Sequence, residues 1–127
     1  MSGNPLFRGL NRPGSSNPED MNDLEKKHTP VITAPDRVSK GERFEVVVET
    51  GVYMQHPNEY GHHFSWIELY LDDVLAGRVY LQPVIAAPKA VFLLNAAEDY
   101  VGKRKLVARA FCNLHGTWVS EKPIDIE

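Results

Sequence analysis

Five histidines and a single cysteine fall in only three short segments of the chain. The first is Lys26-Lys27-His28-Thr29-Pro30. The second is His56-Pro57-Asn58-Glu59-Tyr60-Gly61-His62-His63, and the third is Cys112-Asn113-Leu114-His115-Gly116. Imidazole and thiolate are both metal donors, yet each on its own has an ordinary alternative. A loop histidine is commonly solvated or hydrogen-bonded, and a lone cysteine commonly packs as a small apolar residue. The coincidence alters that balance. Every histidine and the only thiol lie in turn-rich segments near the ends of apolar runs, where a rigid scaffold gathers side chains distant in sequence. A metal site is the expectation.

The donor set narrows the choice of metal. Neutral imidazoles suit zinc, copper, nickel or iron, and a thiolate adds a soft, electron-rich donor. Structural zinc closes its shell with four ligands and is richer in cysteine, whereas up to five N and S donors are available here. A planar set of imidazoles with an axial thiolate leaves one face of an iron open. Thiolate donation then pushes electron density towards an oxygen species on that face, as in thiolate-ligated haem.

Such ligands need elements to hold them. Arg43 to Thr50 is β-branched and nearly alternating, and Phe64 to Leu71 alternates apolar with polar residues. Asp72-Asp73 begins a turn towards Gly77 to Tyr80. Lys89 to Leu94, Lys105 to Phe111 and Thr117 to Ser120 are further strand candidates. Short strands with little helical periodicity predict an all-β antiparallel sandwich or barrel. The only helical candidate is a turn around Asn95 to Tyr100. Residues 1–24, rich in Gly, Pro and Ser, are read as a flexible N-terminal arm, with Leu6, Phe7 and Leu10 as possible docking points. Residues 25–127 form the domain.

The totals agree with one domain. A chain of 127 residues, 43% hydrophobic and 24% charged, builds a single core. A net charge of −3 argues against nucleic acid or anionic membrane as the main partner. Val84 to Leu94, the most apolar stretch, is broken by Pro88 and Lys89 and is too short to span a bilayer. No apolar block near the start reads as a secretory signal, so a cytoplasmic location is expected. One cysteine excludes an intrachain disulfide.

KHTP at Lys27 to Pro30, HPNEYGHH at His56 to His63 and CNLHGTW at Cys112 to Trp118 together resemble the iron-only superoxide reductases, or neelaredoxins, and the matching domain of desulfoferrodoxin. The resemblance covers roughly Glu25 to Glu127. It implies an immunoglobulin-like seven-stranded sandwich and one iron per chain in a square pyramid. The equatorial ligands it implies are His28, His56, His62 and His115, with Cys112 as axial thiolate. The resemblance puts the loop's second ligand six residues after His56, which selects His62 and leaves out His63; that adjacent residues of an extended segment point to opposite sides agrees. The implied activity is reduction of superoxide to hydrogen peroxide, with Lys27 the cation beside the open face. It further implies a rubredoxin-like electron donor and self-association as dimer or tetramer.

One position departs from the family. Its usual Glu-Lys-His, in which the glutamate is the sixth ligand of ferric iron, becomes Lys26-Lys27-His28, and Glu25 stands one residue further away. Glu25 is therefore not expected to be a ligand. Two other readings remain: a cupredoxin-like blue-copper electron carrier, and a binding sandwich with structural zinc. The first usually has a methionine after its last histidine, and none follows His115. Trp66, Trp118, Phe64 and Phe111 are read as packing, and Asp72-Asp73 and Lys103 to Lys105 as solvated turns.

Overall fold

The structure, a computed structural model, describes residues 9–127. Nine strands occur among them: β1 (Leu10–Asn11), β2 (Val31–Thr33), β3 (Arg37–Val38), β4 (Arg43–Glu49), β5 (Phe64–Leu71), β6 (Val74–Tyr80), β7 (Lys89–Asn95), β8 (Gly102–Cys112) and β9 (Gly116–Ile126). They form a six-stranded sheet in the order β1-β9-β8-β5-β6, with β3 also on β9, and a three-stranded sheet β2-β4-β7. The fold is all-β, as expected.

The patterning explains the layers. Along β4, Phe44, Val46 and Val48 are buried while Arg43 and Glu45 are exposed, the period-two alternation of a half-buried strand. Ile67 and Leu69 of β5, Leu106, Ala108 and Ala110 of β8, and Ile124 and Ile126 of β9 meet them in one core. Burial of each large aliphatic side chain there contributes about 1.5–3 kcal/mol. Phe64 and Cys112 belong to the same cluster, so the thiol grows out of the core's edge.

Two expectations change. The three-stranded sheet is antiparallel, but the larger sheet is mixed, because β1 and β3 both run parallel to β9. Such two-residue strands carry no period to read, and β9 recruits them along its free edge. The turn expected around Asn95 to Tyr100 is present as a 3-10 turn at Glu98–Tyr100 after β7, but it is not the only helical segment, because Asp23–His28 is an α-helix.

From Gly9 onward, the segment read as an arm has regular structure. Leu10 and Asn11 pair with Thr117 and Trp118, Pro18–Asp20 form a 3-10 turn, and α1 (Asp23–His28) follows. Leu6 and Phe7 lie outside the described residues. The α1 signal was local: Asn22 and Glu25 make a reciprocal capping box, the Asn22 side chain accepting from Glu25 N–H and Glu25 from Asn22 N–H, which satisfies two otherwise orphaned donors. Thr29 precedes Pro30 and is extended (ψ 121°), as a following proline demands; the helix stops there. Among the described residues no helix is long and apolar enough to cross a membrane.

Candidate metal centre

Each of the three histidine- and cysteine-bearing segments reaches the same cluster by a different device. His28 is the last residue of α1, buried, with its ring Nδ1 2.7 Å from Leu24 O one turn back. His56 follows a turn in which Gly51 has φ +73°, and a Cβ on Gly51 would lie 3.1 Å from His56 N; glycine permits that approach. His56 Nδ1 is 2.7 Å from Pro57 O. Cys112 ends β8 and His115 is the last loop residue of the tight β8–β9 hairpin, where Cys112 pairs with Gly116 across three loop residues and Gly116 takes φ +80°. A left-handed glycine is what a three-residue hairpin needs.

Four imidazoles and the thiol converge. One donor atom from each of His28, His56, His62, Cys112 and His115 lies within 4.8 Å of all the others. His28 Nε2 is 3.1 Å from both His56 Nε2 and His115 Nδ1. Cys112 Sγ is 3.4 Å from His56 Nε2 and 3.8 Å from His115 Nδ1. The rings of His56 and His62 meet edge to face at 4.6 Å, and those of His62 and His115 at 5.0 Å. Trp118, fully buried, stacks on His28 (5.2 Å) and donates its indole N–H to His115 O. Phe64 lies 4.4 Å from the His56 ring. Both aromatics pack where expected.

Tautomers follow from the carbonyls. Leu24 O and Pro57 O each accept the Nδ1 proton of the histidine beside them, leaving both Nε2 lone pairs aimed into the cluster. Burial, more than any other cause, pushes His28 down to about 4 and His56 down to about 3, so no proton separates those facing lone pairs near neutral pH. His62 Nε2 is buried without a hydrogen-bond partner. The Cys112 thiol is pushed up by burial, against main-chain N–H bonds from Leu114 and His115. Lone pairs packed this closely repel each other unless a cation lies among them. A soft sulfur beside four imidazoles fits iron, and ionising the thiol then releases a proton.

The Desulfoferrodoxin family profile matches residues 20–121. The chain belongs to the desulfoferrodoxin family. A putative superoxide reductase of Methanocaldococcus jannaschii is 41% identical over 105 residues, covering 83% of this chain and 88% of that protein. The desulfoferrodoxin of Desulfarculus baarsii is 39% identical, over 76% of this chain and 64% of its own length. Among solved structures, the superoxide reductase (neelaredoxin) of Ignicoccus hospitalis superposes with a TM-score of 0.70 at 38% identity, covering 79% of this chain and 81% of that one. A putative superoxide reductase of Thermotoga maritima gives 0.73 at 29% identity, covering 84% and 92%.

Other residues of this desulfoferrodoxin-family chain complete the picture. Lys27 is half-buried, takes no part in the ion pairs among the described residues, and its charge helps lower the pKa of His28 and His115. His63 stands outside the cluster, its Nδ1 3.0 Å from Glu59 O. Glu25 is engaged elsewhere: one oxygen accepts from Asn22 N–H at 3.0 Å and the other from Gly14 N–H at 2.8 Å.

Asn58 and Asn113 were missed by sequence reasoning. Asn58 accepts from Val84 N–H and donates to Ala86 O. It holds the histidine loop against a turn where Val84 has φ +71°, a costly conformation for a β-branched residue. Their only sequence signal was amide side chains between ligands.

Proposed function

We infer that the protein is a superoxide reductase, converting superoxide to hydrogen peroxide without releasing dioxygen. The observation that carries this is the convergence of four ring nitrogens and one sulfur within 4.8 Å. A blue-copper carrier needs two imidazoles, and this cluster has twice that. A ferrous ion held by these donors supplies the single electron in the net reaction, superoxide plus one electron and two protons giving hydrogen peroxide.

The protein's own groups do the rest. His28, His56, His62 and His115 would hold the metal through ring nitrogens, and Cys112 would hold it through a thiolate. Leu114 and His115 N–H groups bond that sulfur and moderate its donation. Trp118 and Phe64 keep water from the inner side of the rings. Lys27 draws the anionic substrate to the open face, and its Nζ holds protons near the departing product. The Glu25 carboxylate, bonded to Asn22 and Gly14, would not be among the groups that hold the metal.

The same reading extends to the setting. Each turnover consumes an electron, for which a rubredoxin-like carrier is the donor, and the protein works in the cytoplasm as a dimer or tetramer. Residues 25–127 make the iron-binding domain, and β1, ahead of them, adds to its larger sheet. Setting aside the two-residue strands β1 and β3 leaves seven, in keeping with an immunoglobulin-like sandwich.

The test is direct. Iron-replete, oxidised protein should show a thiolate-to-ferric absorption band; after reduction, stoichiometric superoxide should restore it with one hydrogen peroxide formed per iron. An intense blue copper band, or a colourless zinc protein inert to superoxide, rejects the reading.

A further inference from the structure

Carbonyl oxygens anchor two of the ligand rings. Leu24 O and Pro57 O fix the rings of His28 and His56. His62 Nε2 is buried without a hydrogen-bond partner, as a nitrogen kept for a metal would be, and where it points depends on the backbone that carries the ring. That backbone is a turn outside the strand ladders, closed by an isolated bridge in which Glu59 N–H donates to His62 O (2.8 Å) and His62 N–H to Glu59 O (3.1 Å).

One side chain grips the residues on both sides of His62. Asn113 Oδ1 accepts from His63 N–H at 2.8 Å, and Asn113 Nδ2 donates to Gly61 O at 2.9 Å. The main-chain N–H of Asn113 also donates to His63 O at 3.1 Å. Asn113 directly follows Cys112. Its planar amide therefore spans a single ligand residue, while its own backbone is fixed to the residue carrying the sulfur.

We propose that Asn113 is a positioning residue that sets His62 relative to the Cys112 sulfur, joining two ligand-bearing segments separated by about 50 residues. The proposal rests on reading the cluster as a metal centre. Only an amide supplies an acceptor for His63 N–H and a donor for Gly61 O from one planar group. Asn113 is exposed, so it adds little to the core. What it fixes is geometry, and a ligand's outer hydrogen bonds commonly alter metal affinity by about 10–100-fold.

Cobalt(II) is a suitable probe, because its thiolate charge-transfer band and its affinity against a competing chelator report the site without turnover. Chelator-stripped wild type, Asn113→Ala, Asn113→Ser and Asn113→Asp are titrated side by side. Asn113→Ala and Asn113→Ser should bind cobalt about 10–100-fold more weakly, with the thiolate band displaced. Asn113→Asp, which keeps the acceptor for His63 N–H, should recover part of the loss.

Affinity within about twofold of wild type and an unmoved band in Asn113→Ala would overturn the proposal, even with a lower melting temperature. If that variant does not fold, Asn113→Ser decides by the same criterion. Failure of wild type itself to give a thiolate–cobalt band removes the metal-centre reading and this proposal together, an outcome distinct from an indifferent Asn113.

Discussion

At the scale of single residues, Lys27 and the clustered histidines have two proposed electrostatic roles. Lys27 has no carboxylate partner among the described ion pairs, so its charge is free to act on an approaching anion. Lys27→Met should slow the second-order reaction with superoxide by about tenfold and flatten its dependence on ionic strength. Pulse radiolysis or stopped flow at several salt concentrations measures both; an unchanged rate and salt slope would remove Lys27 from steering.

The buried histidines act through protons. In metal-free protein, His28 and His56 titrate lower when folded, near 4 and 3, than the ordinary value of 6.5. Between those values the unfolded chain binds more protons than the folded one. Stability is thus fully present above pH 6.5 and declines as the pH falls towards 4 and then 3. The loss is of the order of a few kcal/mol. Denaturant melts of apoprotein at pH 7.5 and 5 should show it, and a His56→Phe variant should show less.

At the scale of elements, α1 joins folding to the site. Glu25 closes the capping box and also tethers Gly14, holding the segment that delivers Lys27 and His28. Glu25→Ala should cost about 0.5–2 kcal/mol, the usual loss from a broken cap, read as a lower melting temperature. Because its carboxylate points at Asn22 and Gly14, the spectrum of oxidised, iron-loaded protein should hardly change. A clear band shift in Glu25→Ala would mean that this carboxylate reaches the metal.

The whole molecule is a two-layer core with its ligands drawn from α1, a loop before β5 and the β8–β9 hairpin. A metal bound by all three segments ties them together and binds only the folded chain. It therefore stabilises the fold by mass action, about 4 kcal/mol at a thousandfold excess over Kd. Stripping the iron should lower the melting temperature by roughly 10 °C or more, with one iron per chain restoring it. Hydrogen exchange should quicken most in α1 and the 56–63 loop, since neither belongs to a long strand ladder. Uniform change across β5, β8 and β9 would argue against this cross-linking.

What was legible from the chain was the identity of the donors and the class of fold. Ligand type is written into the residue, and strand character into alternation such as that of Phe44, Val46 and Val48. Partnerships across long separations were not written there. Whether Glu25 meets a metal or Gly14 N–H, which nitrogen of His28 is bare, and how Asn113 reaches Gly61 all depend on distances created by packing. The parallel pairing of β1 and β3 with β9 is of the same kind: two residues have no periodicity, so only the finished edge of the sheet could assign them.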